Sequence, residues 1–170
     1  MKLFVAAIFL LLTAAAPVPS YDWKLTPSGW GPVRIGMTRE QVAKALKVEL
    51  QGDAFDNQGS CIELFPAKEE LNGTYFMFQD GKLSRISVVE TGKIATPRGV
   101  RVGATADEVR VAYGEKLQAE PHYYVDLPAE YLTYWVKPKA SGVRFETDAG
   151  RKVQTIHAGN GSIQLVEGCA

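Results

Sequence analysis

The chain has 170 residues, 19 Lys and Arg against 19 Asp and Glu, and 46% hydrophobic residues. This balance excludes a nucleic-acid binder built on a basic face, and the length is enough to bury a core. No apolar run reaches the roughly 20 residues that a membrane-crossing helix needs.

The chain opens MKLFVAAIFLLLTAAAPVPS, with a basic Lys2, an apolar run from Leu3 to Ala16 and small residues at its end. This pattern predicts a secretory signal peptide over residues 1–20, cut near Ala15 or Ser20. No cysteine lies near the junction to accept a lipid. The expected product is therefore a periplasmic or secreted protein with no membrane anchor.

RIGMTREQVAKAL, Arg34 to Leu46, is answered sixty-seven residues later by RVGATADEVRVAYG, Arg101 to Gly114. Each copy opens with a β-type segment, Val33 to Ile35 or Val100 to Val102, and turns at Gly36 or Gly103. Thr38 with Gln41, and Thr105 with Glu108, then form capping boxes that start helices. Val42, Ala45 and Leu46, like Val109, Ala112 and Tyr113, recur at helical spacing.

After each helix the period falls to two. Cys61 to Phe65, Thr74 to Phe78 and Leu83 to Glu90 read as strands, the last two joined by an Asp80-Gly81 hairpin turn. Tyr131 to Val136, Gly142 to Thr147 and Lys152 to Ala158 read likewise, and Ser162 to Glu167 as a further C-terminal strand. The expected fold class is α+β: a tandem duplication of a helix plus antiparallel β-meander unit, with the helices on one sheet face. The first repeat spans 21–96 and the second, with its C-terminal strand, 97–170.

Cys61 and Cys169 are the two cysteines. An even count in an exported chain favours a disulfide over two separate buried thiols.

The segment GMTREQVAKAL resembles the opening of the small outer-membrane-barrel assembly lipoproteins. The duplicated helix and meander resemble the beta-lactamase inhibitor protein fold. The chain departs from the assembly lipoproteins in lacking the lipid-acceptor cysteine and in carrying two copies. No residue identifies a beta-lactamase contact.

Catalytic signals are absent from the sequence: it has no HExxH, no G-x-S-x-G and no glycine-rich loop leading into a helix. We expect no enzyme, no metal and no cofactor. His157 reads as a surface or hydrogen-bonded histidine on a strand. PHYYVDLPAEYLTYW, by contrast, packs five aromatic residues into fifteen positions, and Tyr and Trp give rigid contact area with a polar tip. The expected contact surface is His122, Tyr123, Tyr124, Tyr131 and Trp135. The function expected is a non-catalytic exported protein-binding or inhibitory module, its partner another exported or envelope protein. The alternatives are an envelope assembly or scaffold factor, or a small-ligand or glycan binder.

Overall fold

The computed structural model describes residues 22–52, 60–90 and 92–169. The expected signal peptide lies outside the described residues.

Three two-residue strands, β1 (Leu25–Thr26), β2 (Gly29–Trp30) and β3 (Val33–Arg34), form a small antiparallel sheet. Helix α1 (Arg39–Leu46) follows. Then come β4 (Leu50–Gln51), β5 (Cys61–Pro66), β6 (Thr74–Gln79) and β7 (Lys82–Val88). Helix α2 (Ala106–Tyr113) leads into β8 (Leu117–Pro121), β9 (Glu130–Lys137), β10 (Ser141–Thr147) and β11 (Val153–Gly159). The last eight strands make one sheet in the order β4-β5-β6-β7-β11-β10-β9-β8, with every neighbouring pair antiparallel.

This corrects the expected fold class. Strands account for 41% of the structure and helix for 19%, so the molecule is mostly antiparallel sheet and not a tandem of helix-plus-meander units. The physical reason lies at the middle of the sheet, where β7 pairs with β11 and merges both halves into one ladder. Each α-helix is only eight residues long and buries two or three side chains: Val42 and Leu46 from α1, Ala106, Val109 and Tyr113 from α2. Helices this short depend on the sheet for their stability. The two halves also begin differently, since Val33–Arg34 pairs as β3 while 100–102 forms no strand.

The local signals nonetheless act where they occur. At both helix starts the Thr hydroxyl accepts the N3 amide, and the N3 side chain accepts the Thr amide. The turn before each helix is fixed to a strand: Gly36 N–H donates to Leu83 O, and Gly103 N–H to Val153 O. The β6–β7 turn places Asp80 and Gly81 at positive φ, as an Asp-Gly hairpin requires.

The C-terminal segment departs from expectation too. Ser162 to Glu167 is not a strand; residues Gly161–Gln164 form a 3-10 turn. Asn160 causes it, because its side-chain oxygen accepts the Ser162 N–H at 2.9 Å and caps the turn. The remaining tail reaches Cys169, bonded to Cys61 across 108 residues with a Cα–Cα distance of 5.5 Å. Opening a loop of that length releases chain entropy in the unfolded state. Replacing both cysteines by serine should therefore lower unfolding free energy in urea by about 3–5 kcal/mol. An unchanged urea midpoint would show that the bridge does not constrain the unfolded chain.

Candidate functional site

Strand register sorts the side chains of the large sheet onto two faces. Leu64, Phe76, Ile86, Leu132, Phe145 and Ile156 enter the core beneath the helices. The other face carries charge instead. Register places Tyr75, Ser87, His157, Arg144 and Thr133 in one row across five strands. Beside it lie Thr155, Glu146, Tyr131 and Glu120, and on the other side Glu63, Met77 and Arg85.

This polar face is covered by the tail. Arg85 is 3% exposed. It donates from Nη1 to Ser162 O at 3.2 Å and Leu165 O at 2.9 Å, and from Nη2 to Glu63 Oε1 at 3.3 Å. Arg144, equally buried, donates to Ile163 O at 3.4 Å and lies 3.6 Å over the Tyr131 ring. Burial lowers both guanidinium pKa values, opposed by Glu63 at Arg85 and by Glu146 at Arg144. Arginine stays cationic regardless, so each buried charge relies on these acceptors; removing one partner of such a pair costs several kcal/mol.

Between the arginines sits His157, 7% exposed. Glu146 lies 3.3 Å from its Nε2, and Ser87 Oγ 2.8 Å from its Nδ1. A carboxylate only accepts, so Nε2–H donates to Glu146 and Nδ1 accepts from the Ser87 hydroxyl. Burial, reinforced by the charge of Arg85, pushes the His157 pKa below its ordinary value, and the Glu146 hydrogen bond opposes this only in part. At Glu146 burial acts upward, but the hydrogen bond from His157 and the charge of Arg144 hold the carboxyl below its usual value. Hydroxyl, imidazole and carboxylate in this order could pass a proton. Ser87, however, is itself buried in the interior strand β7, whose N–H groups are taken up by ladders on both sides. The trio holds a neutral ring between two cations, and all three side chains line one cleft.

The sequence-predicted contact residues divide sharply. Tyr123 and Tyr124 are 74% and 58% exposed and meet edge to face at 4.8 Å. His122 is half-buried and organises the loop, its Nδ1 accepting the amides of Tyr124 and Val125 at 3.1 Å each. Tyr131 is 3% exposed, stacked on His122 at 4.5 Å, and its hydroxyl accepts the Tyr123 amide. It serves as the seat of the loop, not as its contact. Trp135 is half-buried and belongs elsewhere, since a Cβ on Gly142 would come within 2.7 Å of its ring and 3.0 Å of Ile163. The structure thus brings four of the five together and leaves Trp135 beside the capped turn.

Sequence reasoning missed the tail's share. Leu165, Val166, Glu167 and Gly168 join Tyr123 and Tyr124 in a groove of about 320 Å³. Tyr124 donates its hydroxyl to Glu167, and this bond pushes the tyrosine pKa up to about 12. On the tail's other side, Val166, Glu167 and Gly168 also wall a cleft of about 370 Å³ over Glu63, Arg85, Glu146 and His157. The available signal was the charged alternation in LSRISV and GVRFET, which put Arg85, Arg144 and Glu146 inside strands. It marks a polar sheet face, but not what covers it. No three His, Cys, Asp or Glu side chains among the described residues could hold a metal ion.

Comparison of the chain with protein families, with curated proteins and with solved structures gives no match.

A pH dependence follows from His157. Its folded pKa lies below the unfolded value of about 6.5, so its contribution is fully present above that pH and is lost as pH falls through the folded value. The urea midpoint should fall on acidification from neutrality, before the carboxylate range is reached. His157→Gln should flatten that limb; an identical pH slope in the variant would show that the buried ring is not its source.

Proposed function

We propose that this is a non-catalytic protein-binding module of an exported compartment, and that its partner docks on the 122–128 loop together with the C-terminal tail. One observation carries the proposal. Six of the nine large hydrophobic residues exposed among the described residues lie on these two segments: Tyr123, Tyr124, Val125, Leu127, Leu165 and Val166. Scattered exposed apolar residues are ordinary, whereas a concentrated patch marks a contact surface.

The physics of the two segments supports the reading. Tyrosines already ordered by neighbours lose little entropy when they anchor a partner. Tyr123 is held through its amide by Tyr131, and Tyr124 through its hydroxyl by Glu167. The Cys61–Cys169 bridge suits an oxidising compartment, and no described helix is long and apolar enough to cross a membrane.

A photoreactive residue tests it. Placed at position 123 in the producing cell, it should give one discrete cross-linked protein. At position 111 on the outer side of α2, where Val111 is equally bare to solvent, it should give none. Leu127→Ala should lower the yield at 123 by about tenfold, the scale of a lost interface anchor. Equal products from both positions, or none from 123, would refute the docking surface.

A further inference from the structure

We infer that the partner presents a basic surface to this groove: an apolar side chain seated between the tyrosine pair and Val166, with Lys or Arg side chains flanking it. The inference rests on the docking reading above and adds the chemistry of the occupant.

Over the whole chain, acidic and basic residues are equal in number. On the two segments that build the groove they are not. Residues 117–136 contain Glu120, Asp126 and Glu130 and no Lys or Arg, and residues 161–169 contain Glu167 and again no Lys or Arg. Glu130 is neutralised by Arg110 at 2.5 Å. Glu167 lines the groove, Asp126 is exposed on the loop that carries the tyrosines, and Glu120 is exposed on the adjoining strand β8.

The nearest buried cations, Arg85 and Arg144, are matched by Glu63 and Glu146, and Arg144 also acts on Glu120. Arg85 and Arg144 lie under the tail with their guanidiniums bonded to tail carbonyls. The cleft on the other side of the tail is lined by Glu63, Glu146 and Glu167 with Arg85 and the neutral His157, and Arg144 lies 4.0 Å from Glu146. Each of those three carboxylates directs one oxygen to a partner within the fold. A carboxylate can accept about four hydrogen bonds, so each keeps capacity for a donor from outside. An apolar groove with an acidic rim favours a partner with the complementary pattern and repels an acidic one.

The cross-link at position 123 separates the possibilities. If the partner is basic, raising salt from about 0.05 to 0.5 M should lower the yield about three- to tenfold, because rim charges are screened over that range. The variant Glu120→Gln/Asp126→Asn should lower it by a similar factor, roughly that of two exposed ion pairs. Because it leaves Glu167 and its bond to Tyr124 in place, loss of the ordered loop is not a competing cause. Mass spectrometry of the product should find the attachment point next to Lys or Arg. A strong cross-link that is insensitive to salt and to this variant overturns the basic partner while leaving the docking surface standing. So does a product that is a second copy of this chain, or one attached through an acidic or uncharged segment. No cross-link from position 123 overturns both.

Discussion

Two arginine side chains buried on one face of an antiparallel sheet set the terms for everything above them. Arg85 and Arg144 stand on adjacent register rows of β7 and β10, with His157 of β11 between them. Leaving a guanidinium buried without acceptors costs several kcal/mol. The sheet supplies Glu63 and Glu146, and the C-terminal segment supplies the carbonyls of Ser162, Ile163 and Leu165. The tail is therefore a required part of the sheet's electrostatics.

From this constraint the surface is assembled in steps. The carbonyls that accept from Arg85 Nη1 and Arg144 Nη1 set the path of residues 162–165, and the bridge to Cys61 fixes the end of the tail. That path leaves Leu165 and Val166 facing outward and brings Glu167 to Tyr124. Arg144 at the same time backs the ring of Tyr131, which stacks on His122, whose Nδ1 holds the loop amides. Each arginine thus supports one side of the groove: Arg85 the tail, Arg144 the tyrosine loop. His157 stays neutral between them, and so adds no third positive charge to a face where Glu63 and Glu146 balance only two.

Much of the local structure was legible in the sequence because its causes are local. Threonine three residues before Gln or Glu started both helices, and Asp80-Gly81 turned the first hairpin. The six strands found by alternation all exist to within one or two residues, and Cys61 pairs with Cys169. The architecture was not legible in this way, because the antiparallel pairing of β7 with β11 is a long-range choice that no local pattern announces. Edge strand β8 was missed for a related reason: LQAEP is exposed along nearly all its length and shows no alternation. Of the candidate site, Tyr123 and Tyr124 could be read directly from the aromatic cluster. Tyr131 and Trp135 could not be placed, since what covers a sheet face depends on a segment thirty residues away. For the same reason local alternation does not reveal that Arg85 and Arg144 lie beneath the tail.

The central claim is that buried arginines hold the tail and thereby build the contact surface. Amide hydrogen exchange on Arg85→Gln, with the Cys61–Cys169 bridge intact, tests it most directly. The account predicts that amides of residues 161–168 lose protection by roughly two orders of magnitude, the equivalent of about 3 kcal/mol for a broken buried ion pair, while those of β6, β7 and β11 exchange as before. Unchanged protection in the tail, or an equal loss throughout the sheet, would contradict it.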